Sequence, residues 1–358
     1  MNVLITGGGT GGHLSIAKAL ALSCKAKGFG VYYIGSTSGQ DRLWFEGSDI
    51  FSACYFLESS GVVNKRGFAR FKALYLQIKA MFASLKILKK HDISAVVSVG
   101  GFSAGGASFA SVVARIPLFI HEQNATLGTL NKILSIFARA RFCSFDLRGF
   151  IKTSYPINSD FFTFARDRKR LETIIFIGGS QGASAINAFA LEVAGDLLDM
   201  GIGIIHQCGK LDFESLCEQY KNMGLVGKNF DEGVSFRYKN GCEVVLFSFS
   251  KRLLSYITKA DFCVSRSGAS SLWELCANRL PAIFVPYPYA AKNHQYLNAL
   301  SLGDLCKIIL QDRLDKKDFL SYIDTLDLRK ASENLKGIIS PNGADEIISS
   351  IASKLDEI

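Results

Sequence analysis

The chain has 358 residues, 48% of them apolar and 20% charged, and a formal net charge of +9. That length and apolar content suit about two packed domains and exclude a disordered or collagen-like chain. The charge suits an anionic ligand, an anionic membrane face or nucleic acid; with no arginine-rich arm and no aromatic RNA-reading signature, nucleic acid is set aside.

The chain opens on strand-forming Asn2–Ile5, without a cationic leader, and no run approaches the roughly 20 apolar residues of a bilayer span. Neither a signal peptide nor a transmembrane helix is expected. The nine cysteines are scattered with no C-x-x-C pair, which suits reduced thiols in a cytoplasmic protein, and none of the five histidines pairs with one at zinc-ligand spacing.

Val3 to Thr6 reads as a buried strand. It is followed by five glycines in the six residues Gly7 to Gly12, then His13, then a helix over about Leu14 to Lys27. Gly30 to Gly35 is the next strand. In the helical stretch that follows, Leu74, Ile78, Met81, Leu85 and Leu88 have core spacing. Tyr75 and Phe82 lie to one side among Lys72, Lys79, Lys86, Lys89 and Lys90, with Lys65, Arg66 and Arg70 upstream. That side is either a solvated lysine face or a membrane-surface patch. Ser94 to Val99 and Leu118 to His121 are further short strands.

The opening then repeats in outline. "TIIFIGGSQGASAINAFALEVA" is again strand, glycine turn and helix, and "GIGIIHQCG", "CEVVLFSFS", "DFCVSRSGASSLWELC" and "LPAIFVPYP" continue the rhythm. Two such starts predict an α/β protein of two doubly wound Rossmann-like domains facing a central cleft, with ligands beyond the carboxyl ends of the strands. The expected domains are 1–155 and 156–358, divided near Pro156, with the last helix packing back on the first domain.

Gly7-x-Gly9-x-x-Gly12 formally matches a dinucleotide fingerprint, which needs an acid about 20 residues on for the ribose. The second strand ends in "YYIGSTSG" and offers none before Asp41, so nicotinamide binding is disfavoured. The P-loop pattern fails because His13 follows Gly12. What remains is glycine-rich backbone and a helix start, which suit an anion. The helix dipole there favours a neutral His13, able to accept a proton. In "SRSGASSLWEL", Arg266 is a candidate to neutralise phosphate, the amides of Ala269, Ser270 and Ser271 to hold a diphosphate, and Glu274 to accept ribose hydroxyls. His121, Glu122 and Asn124 gather past a strand end. Gln295 and Asn298 share a helix face.

In order along nearly the whole chain, "GGGTGGH", "SVGGFSAGG", "HEQN", "IGGSQGA", "SRSGASSLWEL", "LPAIFVPYP" and "HQYLNA" resemble the MurG family of N-acetylglucosaminyltransferases. The resemblance implies a GT-B fold, with the acceptor mainly at the N-terminal domain and the sugar nucleotide mainly at the C-terminal one. It implies inverting transfer of GlcNAc from UDP-GlcNAc to the 4-hydroxyl of the muramoyl sugar of undecaprenyl-linked lipid I, giving lipid II and UDP. It places Thr10, Gly11, Gly12, Asn124, Ser180, Gln181 and Gln295 on donor-binding positions, and Ala269 through Glu274 at the diphosphate and ribose. Ser250 falls where the family has an apolar residue whose backbone meets uracil. The chain departs at Asn158, where the family commonly has an arginine that touches the donor, and at Ile16, where it has proline.

No Asp-x-Asp occurs in the chain, so no metal clamp or other cofactor is expected, and Arg266 with helix-end amides would neutralise departing UDP. His13 is the first candidate base and Glu122 the second. The resemblance implies a peripheral enzyme at the anionic cytoplasmic face of the cell membrane. The alternatives are a related transferase acting on another lipid or small-molecule acceptor, a nicotinamide-dependent oxidoreductase, and a nucleotide-sugar binder without turnover.

Overall fold

The computed structural model describes residues 1–62, 65–179 and 182–357. The chain forms two compact units, Met1–Asn158 with Ser340–Ile358, and Ser159–Ile339. The first unit thus runs to Asn158 where the sequence suggested Tyr155, and the C-terminal segment belongs to it.

In the first unit the strands are β1 (Asn2–Thr6), β2 (Gly30–Ser36), β3 (Ala53–Leu57), β4 (Ala95–Ser98), β5 (Leu118–Glu122), β6 (Ala140–Cys143) and β7 (Ile151–Lys152). The helices between them are α1 (Gly11–Ala26), α2 (Asp41–Phe45), α3 (Gly67–Lys90), α4 (Gly105–Val113) and α5 (Thr129–Leu134). The strands pair in the order β3-β2-β1-β4-β5-β6-β7, and every pair is parallel. The order reverses between β1 and β4, the switch point at which such sheets bind ligands. Thr6 and Ser98 pair there, so the loops after β1 and β4 leave the sheet side by side.

The second unit repeats the plan. Its strands are β8 (Thr173–Ile177), β9 (Gly203–Gln207), β10 (Val226–Phe230), β11 (Gly233–Arg237), β12 (Glu243–Phe247), β13 (Phe262–Ser265), β14 (Ala282–Phe284) and β15 (Lys307–Ile308). Its helices are α6 (Asp160–Thr163), α7 (Ser184–Asp199), α8 (Phe213–Asn222), α9 (Leu253–Lys259), α10 (Ala269–Ala277), α11 (His294–Leu300), α12 (Lys316–Thr325) and α13 (Leu328–Asn334). The parallel part runs β12-β9-β8-β13-β14-β15, with the switch point between β8 and β13; β10 and β11 add an antiparallel hairpin on β12. On α7, Ile186, Phe189, Ala190, Val193, Ala194 and Leu197 follow helical spacing and are buried against the sheet. Each large member contributes about 1.5–3 kcal/mol by leaving water. The last helix, α14 (Gly343–Asp356), lies on the first unit, where Asp345 accepts from Ser23 of α1 and Glu346 from the Ser154 amide.

The face of α3 differs from the sequence expectation. Leu88 is buried, and Met81 and Leu85 pack at the edge of the core, but Leu74 and Ile78 are 49% and 45% exposed. Small residues take the core side instead: Ala73, Ala80 and Ser84 are buried. A Cβ on Gly106 of α4 would stand 2.8 Å from the Ala80 Cβ, so the two helices approach too closely for large side chains between them.

Candidate functional site

The glycine loop of the first unit interlocks with the loop after β4. Gly8 N–H donates to Gly100 O at 3.2 Å. Gly7 has φ +120° and Gly101 φ +79°; a Cβ on either would lie 2.3 Å from the other loop's backbone oxygen. Glycine is required here by both torsion and space.

The loop also carries its own anion. Asp41, wholly buried at the start of α2, accepts Gly9 N–H on Oδ2 at 2.7 Å and Ser36 N–H on Oδ1 at 2.9 Å. Tyr33 Oη lies 3.0 Å from the same Oδ1 and 2.8 Å from Gly7 O. Burial, with Asp41 beside it, holds that phenol far above its ordinary range. Asp41, the first acid after the second strand, faces inward and binds the loop amide, so it is not placed to hold a ribose.

His13 sits on the first turn of α1, with Nδ1 2.9 Å from Thr10 Oγ. Its Nε2 faces Gly100, where a Cβ would come within 3.3 Å. When Nδ1–H donates to Thr10 Oγ, Nε2 carries no hydrogen and can take a proton.

Glu122 is buried and occupied. Its Oε1 accepts Asn124 N–H at 3.1 Å, and its Oε2 accepts Gly128 N–H and Asn131 Nδ2–H, both at 2.9 Å. These bonds hold the 122–128 loop. His121, grouped with it as a site residue, is core: its ring is fully buried against Tyr155, and burial first, then His13, pushes it down to about 3, so it stays neutral.

In the second unit, Phe247, Gln207, Ile177, Ser265 and Phe284 form one row at the carboxyl edge of the parallel strands. The loop after Ser265 enters α10, whose cap is Gly268 in extended conformation with no side-chain cap. Its first-turn amides, those of Ala269, Ser270 and Ser271, point along a positive helix end suited to an anion. Glu274 follows on the same helix. It is half-buried, makes no side-chain hydrogen bond or ion pair among the described residues, and burial pushes it up to about 7. Such a carboxylate is suited to accepting hydroxyl hydrogen bonds from a ligand.

Both units match family models: residues 3–143 the glycosyltransferase family 28 N-terminal domain, and residues 173–349 the family 28 C-terminal domain. A Campylobacter fetus protein is 50% identical over 98% of this chain and 99% of its own; one from Helicobacter hepaticus is 49% identical over 98% of each. Both are named UDP-N-acetylglucosamine–N-acetylmuramyl-(pentapeptide) pyrophosphoryl-undecaprenol N-acetylglucosamine transferase. The chain belongs to the MurG family. The crystal structure of Acinetobacter baumannii MurG superposes with a TM-score of 0.77 at 25% identity, covering 98% of this chain and 99% of that one. The fold is GT-B, and the chain is a glycosyltransferase.

Within that MurG frame, Ser180 and Gln181 lie outside the described residues. Arg266, expected at the phosphate, is tied to the segment after β14. Its Nη1 donates to Val285 O at 3.0 Å and Pro286 O at 3.2 Å, its Nη2 to Gln311 Oε1 at 2.6 Å, and it lies over the Tyr287 ring. The guanidinium braces the segment after β14. Gln295 braces the same segment by accepting Tyr287 N–H at 2.9 Å, while Asn298 is buried and donates to Ser267 O at 3.1 Å. Sequence reasoning missed Asn131, Gln311 and Asp41, each far along the chain from the loop it supports. It also missed the buried Asn187–His206–Tyr220 network, in which Asn187 donates to Cys208 O and to Asp212.

Proposed function

We propose that this chain moves GlcNAc from UDP-GlcNAc to the 4-hydroxyl of the muramoyl sugar of undecaprenyl-pyrophosphoryl-MurNAc-pentapeptide, giving lipid II and UDP. The observation that carries the reading is near half identity, end to end, with relatives named for that transfer. In the second unit, the α10 amides bind the diphosphate and Glu274 the ribose hydroxyls. Arg266 and Gln295 hold the strap beside them. In the first unit, Thr10, Gly11 and Gly12 start the helix that carries His13, and Glu122 fixes the loop of Asn124.

The reaction is a single in-line displacement. The acceptor oxygen forms its bond to the sugar's anomeric carbon as the bond from that carbon to the diphosphate oxygen breaks. The electron pair leaves with UDP, stabilised by the helix-end amides. The acceptor proton passes to His13 Nε2, and the configuration inverts. The absence of Asp-x-Asp suits chemistry without a metal clamp. Purified enzyme with UDP-GlcNAc and a short-chain lipid I analogue releases UDP in excess EDTA on this reading; strict dependence on an added divalent ion, or transfer only to other lipid or small-molecule acceptors, contradicts it.

The acceptor is a lipid, and among the described residues no helix is long and apolar enough to cross a membrane. Phe68, Phe71, Tyr75, Ile78 and Phe82 of α3 recur at helical spacing and are 84%, 73%, 65%, 45% and 58% exposed. Lys72, Lys79 and Lys86 flank them, with Lys65, Arg66 and Arg70 at the helix start. This stripe supports peripheral binding to the anionic cytoplasmic face of the cell membrane, with aromatics in the interface and lysines among the headgroups.

A further inference from the structure

The outer strand β10 adds little to the core of the second unit, since Val226, Gly227, Lys228 and Asn229 are all exposed, while β11 buries Val234 and Phe236. The position of the β10–β11 hairpin is more informative than its burial. Gly233 pairs with Phe247, so the turn at Asp231 and Glu232 stands at the carboxyl end of β12, beside the segment 248–252. That end is the one from which the other ligand loops of this sheet emerge.

Glu232 ties this segment down. Its Oε2 accepts Ser250 Oγ–H at 2.7 Å and lies 3.3 Å from Tyr256 Oη, while Oε1 accepts Arg252 Nε–H at 3.2 Å. Ser250 Oγ in turn accepts Arg252 N–H at 2.8 Å. Tyr256 stacks on Phe247, with ring centroids 4.4 Å apart. The Ser250 hydrogen bond, then Arg252, holds the Glu232 carboxyl below its ordinary range, so it is charged at neutral pH. With the Ser250 hydroxyl consumed and the exposed Lys251 bearing a cation that no neutral base edge calls for, the polar groups of Phe249, Ser250 and Lys251 suited to a base edge are on the backbone. Among the described residues none of these backbone groups makes a hydrogen bond.

We infer that Glu232 is a positioning residue for the nucleobase, holding the backbone of 249–251 in a register that accepts uracil and rejects cytosine. This rests on the reading that the Ser250 segment meets the donor's base. Uracil presents an N–H donor between two carbonyl acceptors; cytosine presents a bare ring nitrogen and an amino donor. A fixed backbone N–H and C=O satisfy the first edge and leave groups unmatched against the second. A loose segment re-registers and loses the distinction.

The test compares UDP and CDP as inhibitors of the full-length enzyme, alongside the KM for UDP-GlcNAc, in Glu232→Ala, the near-isosteric Glu232→Gln, and Ser250→Ala. Glu232→Ala is expected to raise the donor KM about tenfold with kcat within about twofold, and to narrow the UDP-over-CDP preference about tenfold. Glu232→Gln, which keeps an acceptor for Ser250, falls between, and decides the matter should the alanine variant not fold. Ser250→Ala behaves like Glu232→Ala, and the double variant adds little. A role limited to fold stability lowers Tm without moving the UDP-to-CDP ratio. A wild-type preference for UDP that persists unchanged in the folded variants overturns the inference alone. A wild-type enzyme with no preference for UDP overturns the base-segment reading and the inference with it.

Discussion

Thr10 Oγ and His13 Nδ1 stand 2.9 Å apart on the first turn of α1, which fixes the imidazole so that its other nitrogen faces the Gly100 loop. With the Thr10 hydroxyl as acceptor, Nδ1 keeps its hydrogen and Nε2 is the atom that takes a proton. His13→Ala should therefore lower kcat by about 10²–10⁴-fold with little change in UDP affinity, as loss of general-base catalysis does. Thr10→Val, which keeps the shape and removes the hydroxyl, should lower kcat less and shift the acidic limb of the pH–rate profile, on which the base is protonated. Steady-state kinetics with a short-chain acceptor decide this; full kcat in His13→Ala removes the histidine from the mechanism.

Glu122 offers the contrast. Because its carboxylate accepts three donors, Glu122→Gln leaves at least one of them facing an amide N–H. The expected result is a lower Tm, from a loss of about 1–3 kcal/mol, and a fall in kcat that tracks loop disorder. Loss of kcat with an unchanged Tm and an unchanged 122–128 loop in a crystal structure would return Glu122 to the role of base.

Glu274 gives a pH signature. Its folded-state value is about 7 against an ordinary 4.5, so the free folded enzyme binds more protons than the unfolded chain between these values. Its contribution to stability is complete below about 4.5 and lost as pH rises through about 7. Ribose hydroxyls need the ionised form as acceptor, so the donor KM should rise as pH falls below about 7, by up to about tenfold per unit, and level off above it. Glu274→Gln should bind donor weakly at every pH yet melt higher than wild type at pH 8. An unchanged KM profile in the variant contradicts the ribose assignment.

Asp41 governs the glycine loop by a bond that an amide replaces poorly. Asp41→Asn turns one oxygen into a donor, so either Gly9 N–H or Ser36 N–H and Tyr33 lose their acceptor. A destabilisation of about 1–3 kcal/mol is expected, with impaired kcat for the acceptor reaction. Chemical denaturation and kinetics measure both. Saturable NADH fluorescence in wild type would revive a dinucleotide at this loop.

The strand–glycine–helix starts at Val3 and Thr173 made both sheets legible, because buried parallel strands read as short apolar runs and glycine turns mark their ends. The hairpin was not legible: Val226–Phe230 is exposed but for its last residue, mixed in polarity and short, and nothing in its pattern separates it from a loop. His13, Ala269–Ser271 and Glu274 could be found because the helix start that positions them lies within a few residues. Asp41, Asn131, Glu232 and Gln311 act on loops far along the chain, and pairings of that kind leave no local period. Arg266 was read as a phosphate partner from its charge; the carbonyls of Val285 and Pro286 that hold it lie about twenty residues on and leave no sign in the sequence. On α3, spacing identified an apolar face but not which face was buried; that was decided by Gly106 and Ala80, whose small size draws α4 close.

That inversion on α3 sets the last prediction. Leu74 and Ile78 join Phe68, Phe71, Tyr75 and Phe82 on the outside, where an ordinary core helix would carry charge. Lys79 stands 3.7 Å from Glu58 in an exposed pair, which leaves Lys72 and Lys86 as the cleaner probes of surface charge. Each basic residue near an anionic surface is worth about 1 kcal/mol, so charge reversal of Lys72 and Lys86 together should weaken binding to anionic vesicles at least about tenfold. Phe71→Ser with Phe82→Ser should weaken it as well, and should also lower any residual binding at high salt, because burial of the rings does not depend on screening. Turnover of a soluble short-chain acceptor should be unchanged in both variants. Co-sedimentation with phosphatidylglycerol and with phosphatidylcholine vesicles, at low and high salt, measures this. Wild-type binding indifferent to lipid charge and salt, or unchanged in both variants, removes the stripe as the membrane contact and leaves the transferase assignment standing on the α10 and His13 experiments.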